Sequence, residues 1–245
     1  MMNILIIGES CRDIFHYGDC TRLCPEAPVP VFNTIDIVEN GGMAMNVYNN
    51  VMAMGASGNI ETNKNWHDIT KTRFVDKRSN HMFMRLDQND SNYGHFDIRR
   101  VDLSLYDGII VSDYNKGFLS DEDIELIGNS NDLTIIDTKR KFGKWIENFS
   151  FIKVNDNEYE QNAHMLSDKI KDKIIITRGP RGCTFRNKTY SVPPVEVKDP
   201  SGAGDTFVAA LCVKYCQTRD INMSIQYAND CATLAVQKRG VVIVP

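Results

Sequence analysis

The sequence predicts an α/β domain: a mostly parallel sheet with helices on both faces, plus an extended β ribbon and a β hairpin set apart from it. Three observations predict this. From residue 106 onward, short β-branched runs alternate with helical segments, the pattern of successive βαβ units. The N-terminal run NILIIG (residues 3–8) is almost wholly apolar and ends on glycine, as a strand buried on both faces does. The ribbon (29–38) and the hairpin (71–87) fall outside the alternation.

Taken in order, NILIIG opens the sheet. VPVFNTIDIV (29–38) is β-branched, partly alternating and bounded by prolines, which makes it a ribbon rather than a core strand. Gly41 and Gly42 introduce MAMNVYNNVMAMGA, an Ala/Met-rich helix ending at Gly55. Residues 57–70 are polar, with weak structural signals. TKTRFVD and HMFMRLD, joined by KRSN, form the hairpin.

YDGIIVSDY is a strand, and SDEDIELIG a helix with Ser120 as N-cap and acids in its first turn. LTIIDT and FSFIKVN are strands, NEYEQNAHML a helix and KIIITRG a further strand. CTFRN and KTYSV make a hairpin. Residues 194–198 read as a strand leading into DPSGAGDTFVAALCVKYC, whose apolar helix starts near Ala203. Polar residues gather at the strand ends, where such sheets bind ligands: Asp13, Asp113, Asn155, Thr177 and Asp199.

Composition narrows the function. A chain of 245 residues is expected to be one domain, 1–245. A net charge of −4 without a basic block argues against a nucleic-acid partner. No apolar run approaches the ~18 residues of a membrane span, and the N-terminus lacks a signal-peptide pattern, so a cytoplasmic location is expected. Seven cysteines, an odd number with no C-x-x-C pair, fit a reducing compartment. Cys20 and Cys24 with His16 lack the second pair of a structural zinc site.

The glycine motif carries the chemistry. A helix start presents unpaired N–H groups and the positive end of a dipole, a ready site for phosphate. Gly202 and Gly204 let the backbone approach that anion closely. A carboxylate beside phosphate is otherwise repulsive, so Asp205 makes sense as the base for an attacking hydroxyl. The plainer alternative is a helix capped by Ser201, with Asp205 complementing the dipole. No P-loop and no G-x-G-x-x-G after a strand occurs, which leaves this helix start as the strong phosphate candidate.

Five strings in order resemble the ribokinase-like (phosphofructokinase B) carbohydrate kinases. They are GGMAMN, NDNE, TRGPRG, DPSGAGDTF and YANDCATLAVQKRG. The resemblance implies a ribokinase-like three-layer sandwich with a β lid, its strands drawn from about 14–38 and 71–87. It implies Asp205 as catalytic base and the N–H groups of Gly202, Ala203 and Gly204 as an anion hole. Gly41, Gly42 and Asn46, with Asp13 and Asp113, would hold the sugar. Asn155, Asp156, Asn157, Glu158, Thr177, Gly179, Gly182 and Asn229 would bind ATP, with Asn155 and Glu158 organising Mg²⁺ indirectly. Asp199 and Ser201 would help form a K⁺ site.

TRLCPEAPVPVF, SDYNKG, TKTRF and MRLD further resemble bacterial D-glycero-D-manno-heptose-7-phosphate kinases, whose lid commonly pairs with a second subunit. That implies a heptose 7-phosphate substrate, a lid-mediated homodimer and a cationic clamp for the sugar phosphate, with Arg22, Arg85 and Lys116 as candidates. Between Gly55 and Thr70 those kinases have a strand, a Gly-Asp-Gly turn and a helix; here a short polar segment stands instead, which opens the sugar specificity. Alternatives are a kinase for ribose, fructose, a nucleoside or another sugar phosphate, and a non-catalytic sugar- or nucleotide-binding descendant. No adenylylating module is expected after Pro245.

Overall fold

Alternation along the first strand, β1 (Asn3–Gly8), sets the layers of the computed structural model, which describes residues 2–245. Ile4 and Ile6 enter one hydrophobic core and Leu5 and Ile7 the other, all four fully buried. β1 pairs in parallel with β4 (Ser57–Glu61) on one side and β7 (Gly108–Asp113) on the other. Beyond β7 follow β8 (Thr134–Thr138), β9 (Phe151–Asn155) and β10 (Ile174–Thr177), all parallel. The antiparallel pair β11 (Cys183–Phe185) and β12 (Lys188–Tyr190) closes that edge. The eight-stranded order is β12-β11-β10-β9-β8-β7-β1-β4.

Helices α1 (Ala44–Ala53), α5 (Ala203–Thr218) and α6 (Ile221–Val236) cover the face bearing Ile4 and Ile6. The opposite face carries α2 (Asp121–Gly128), α3 (Asp156–Gln161) and α4 (Asp168–Lys171). Ser120 caps α2 through a reciprocal box with Asp123.

A second sheet rises from the C-terminal edge of the first. Only Glu9 separates β1 from β2 (Ser10–Leu23), which pairs with β3 (Pro30–Met43) and β5 (Thr70–Asp76); β6 (Met82–Gln88) completes the order β3-β2-β5-β6. In register, Asp13 lies beside Lys71 and Phe15 beside Arg73, while Lys71 lies beside Asp87 and Arg73 beside Arg85. One face of this lid is therefore strongly charged. The alternate positions include Ile37, Met84 and Leu86, each more than 40% exposed. At the lid's far turn, Asn80 Nδ2 donates to the carbonyl of Lys198, just ahead of α5.

Several sequence expectations need correction. The ribbon is longer than 29–38: β3 runs through Gly41 and Gly42, which are strand rather than turn, and its partner β2 begins at Ser10. The polar stretch 57–70 contains β4; its SGNIE has little apolar signal because it is a half-buried edge strand. Residues 194–198 form no strand, and the Lys198 and Asp199 amides instead donate to the carbonyl of Val236. The helix expected over 157–166 ends at Gln161, followed by a 3₁₀ turn at Ala163–Met165. Gly202, not Ser201, is the N-cap residue of α5.

Candidate active site

Two cavities flank the entrance to α5. The lid-side cavity, about 360 Å³, is lined by Asp13, Lys71, Arg73, Arg85, Lys116 and Asp205, among others. The second, about 470 Å³, has Thr177, Gly179, Gly182 and Asn229 in its wall, with apolar Val195, Val197, Phe207 and Val236. Ser201, Gly202 and Asp205 face the first, whereas Pro200, Ala203 and Gly204 face the second. The helix mouth is thus the partition between them.

Its geometry depends on glycine at two positions. Gly202 has φ 76°, the left-handed region, and a Cβ there would lie 2.8 Å from Asn46 Nδ2. A Cβ on Gly204 would lie 3.0 Å from Lys153 Nζ. No side chain caps the helix, although the Ala203 amide donates to the Pro200 carbonyl at 3.3 Å.

Asp205 is 8% exposed and sits in the first turn. Its Oδ2 accepts from Asn46 Nδ2 at 2.9 Å and its Oδ1 from the Tyr114 hydroxyl at 3.3 Å. Burial pushes its carboxyl up to about 6, against the Asn46 hydrogen bond, which favours the charged form. A carboxylate poised there can take a proton near neutral pH.

Behind the partition lies a neutralised set of buried charges. Lys153, 4% exposed, donates to Asp137 Oδ2 at 2.7 Å, and Lys139 bridges Asp137 and Glu158. Burial opposes ionisation of Asp137, yet Lys153 and Lys139 hold its carboxyl below the usual range. Glu158 and Asn155 cap α3 reciprocally at 2.9 Å. Both Glu158 oxygens are therefore engaged. Among the described residues no cluster of three or more His, Cys, Asp or Glu could hold a metal ion. This donor set fits a Mg²⁺ carried by nucleotide phosphates and water, not one caged by protein.

Lid charges pair across the first cavity. Arg73 binds Asp13, Arg85 binds Asp87 at 2.7 Å, and Asp90 receives both Lys71 at 2.8 Å and Lys116 at 2.7 Å. Burial disfavours the Asp90 charge, but the two lysines hold its carboxyl well below the ordinary value.

Not every expected residue reaches a cavity. Asp113 is fully buried, accepts from Thr138 Oγ1 at 2.5 Å and Arg140 Nε at 2.8 Å, and does not line the lid-side cavity. Asn46 contacts Asp205 instead of lining the cavity, where Gly42 is present and Gly41 absent. Asp156 pairs with Arg178 and Arg181 and Asn157 is exposed; neither lines the second cavity. Asn229 Nδ2 donates to the Tyr190 carbonyl at 2.9 Å. Arg22 is exposed on the ribbon, away from the other lid cations.

Asp199 accepts amides from Ser201 at 2.9 Å and Gly240 at 3.1 Å. Nearby, the buried Tyr17 hydroxyl has no partner among the described residues, and burial, with the Asp199 charge adding to it, pushes it up to about 12.

The profile of the "pfkB family carbohydrate kinase" matches residues 50–245. The chain belongs to that family. Family membership makes it a carbohydrate kinase by class and implies ATP as phosphoryl donor, generally with Mg²⁺. Two proteins named "Bifunctional protein HldE", from Helicobacter acinonychis and Helicobacter pylori (strain J99), are each 28% identical over 98% of this chain. The chain spans 64% of their length.

Among solved structures, ribokinase from Thermotoga maritima has a TM-score of 0.71 at 15% identity, covering 98% of this chain and 95% of that one. Arabidopsis thaliana ribokinase complexed with ribose and ATP has a TM-score of 0.71 at 13% identity, covering 98% and 94%. The acarbose kinase Mak1 has a TM-score of 0.74 at 14% identity, covering 99% and 95%. These likenesses establish the ribokinase-like fold.

For this pfkB-family chain, sequence reasoning missed Lys71, Arg73, Tyr114, Asp137, Lys139 and Lys153. Two signals were available. Lys71 and Arg73 alternate on one strand, and Lys153 is a lone charge inside an otherwise apolar run.

Proposed function

We propose that the chain transfers the γ-phosphoryl group of ATP to a hydroxyl of a phosphorylated sugar, with D-glycero-D-manno-heptose 7-phosphate as the substrate and the 1,7-bisphosphate as product. The observation that carries this is the partition. One helix mouth separates a charged cavity from a largely apolar one, with Asp205 on the sugar side and Gly204 on the nucleotide side.

The base and the ring of ATP would occupy the apolar cavity between residues 192–197 and α6. Mg²⁺ bound to the phosphates would neutralise charge on them. The sugar hydroxyl gives its proton to Asp205, its oxygen bonds to the γ-phosphorus, and the bond to the β-bridging oxygen breaks, releasing ADP. Amides at the α5 start and the Lys153 ammonium stabilise charge on the passing phosphoryl group. Lys71, Arg73, Arg85 and Lys116 bind the phosphate already on the sugar. The PEAPVP ribbon, the TKTR/MRLD hairpin and SDYNKG favour heptose over ribose, fructose or a nucleoside.

Two further expectations accompany this. Asp199 and Ser201, with the Tyr17 hydroxyl near them, suit K⁺; activity in potassium above that in sodium would support it, and a flat response removes it. The apolar outer lid face suits a homodimer.

The decisive experiment offers ATP–Mg²⁺ with heptose 7-phosphate, heptose, ribose, fructose and a nucleoside, and follows ADP. Turnover confined to heptose 7-phosphate is expected. Preference for an unphosphorylated sugar overturns the substrate, and silence with all of them overturns the kinase.

A further inference from the structure

Asp205 is gripped from two sides, and the sequence motifs account for only one. Asn46 holds Oδ2; Oδ1 meets the hydroxyl of Tyr114, whose ring lines the lid-side cavity. Lys139 Nζ lies 5.7 Å from the ring centroid.

The turn that delivers this tyrosine is heavily built. Glu9, fully buried between β1 and β2, accepts the Tyr114 amide at 2.8 Å and the Lys116 amide at 2.9 Å. Asp113, also fully buried, is anchored by Thr138 and Arg140 and accepts the Asn115 amide at 3.2 Å. Asn115 adopts φ 57° to complete the bend. Two desolvated carboxylates thus fix one short turn, which presents Tyr114 and Lys116 to the cavity. Such an arrangement costs too much to be incidental to where those two side chains point.

We propose that Tyr114 is the positioning residue for the base: its hydroxyl donates to Asp205 Oδ1, fixes the carboxylate plane toward the incoming sugar hydroxyl and favours the ionised carboxylate. This rests on the kinase reading of Asp205. The other charged groups facing Asp205 are Asp137, Lys139 and Lys153 from the sheet side. Across the cavity stand Asp13, Lys71, Arg73, Arg85, Asp87, Asp90 and Lys116. Removing one hydroxyl leaves all of these in place.

The test uses the full chain with ¹³C-carboxyl aspartate, the Asp205 signal being assigned by its loss in Asp205→Asn. In Tyr114→Phe the Asp205 titration midpoint should rise by about half a pH unit or more, and the acid limb of kcat/KM should rise with it. A lost hydrogen bond of ordinary strength should lower kcat by about 3–30-fold, with the ATP KM within about twofold. Placing 3-fluorotyrosine at 114, a stronger donor in the same volume, should move the midpoint down, and it serves if Tyr114→Phe fails to fold. A midpoint unmoved in either folded variant overturns the proposal. Because the carboxyl titration needs no sugar, a parent enzyme inactive on every sugar would sink the kinase reading while this measurement still stands.

Discussion

Asn46 and Asp205 are 159 positions apart in the chain and share a 2.9 Å hydrogen bond at the mouth of α5. The contact joins the start of α1, directly below the lid, to the first turn of the helix that separates the two cavities. Removing the Asp205 carboxylate should therefore silence proton transfer while leaving the nucleotide cavity whole. Asp205→Asn is expected to lose about 10²–10⁴-fold in kcat, with ATP affinity by calorimetry unchanged. A variant turning over near the parent rate would refute the assigned role.

The same carboxyl sets a pH dependence. Burial, opposed by Asn46, places it at about 6, and only its ionised form accepts a proton, so kcat/KM should fall as pH drops through about 6. Stability runs the other way. Between the unfolded value of 3.8 and about 6 the folded chain binds the extra proton, so stability declines as pH rises through that window. Above it, the penalty of an ionised Asp205 is at most about 3 kcal/mol, which Asp205→Asn would relieve. Urea unfolding at pH 5 and pH 8 measures this; equal parent-to-variant differences at both values would contradict it.

How much of this was legible in the sequence follows from what each element is made of. Parallel strands such as β1 and β7 are continuous apolar runs and announce themselves, and the α5 mouth announces itself through two glycines and an acid. β4 did not, because SGNIE is half-buried at a sheet edge and needs little apolar character. The lid's charged face was hidden for a different reason. Ile37, Met84 and Leu86 point outward, so the usual inference from alternation to core selects the wrong side there. Asp113 shows the converse: an acid at a strand end reads as a ligand group, but Thr138 and Arg140 consume it.

Arg85 offers a test of the phosphate clamp that spares the deeply buried Lys71. Arg85→Ala should lower kcat/KM for a phosphorylated sugar by about 10–100-fold, the worth of one charged hydrogen bond. The unphosphorylated sugar should respond by less than about threefold, because it offers the guanidinium no anion. Equal losses on both would assign Arg85 to general packing.

Gly202→Ala probes the partition itself. A side chain at φ 76° costs about 1–2 kcal/mol, and its Cβ would press on Asn46 Nδ2 at 2.8 Å. For a chain of this size the melting temperature should fall by about 2–8 °C. Turnover should fall further than that loss explains, since Asn46 is pushed off Asp205. An unchanged kcat would show that the base does not need this contact.

The outward lid face should associate. Ile37 and Met84 are 56% and 53% exposed, and a soluble monomer seldom leaves such a row uncovered. Sedimentation is expected to give twice 27.8 kDa for the parent and that mass once for Ile37→Lys combined with Met84→Lys. A monomeric parent at micromolar concentration would disprove the pairing.

The bond from Asn80 to the Lys198 carbonyl has a mechanical consequence. The lid joins the main sheet through Glu9 at its root, and this bond ties its β5–β6 turn to the segment ahead of α5. Swinging it aside must slacken the very residues that run into Gly202, so opening the lid-side cavity and loosening the α5 mouth become one movement.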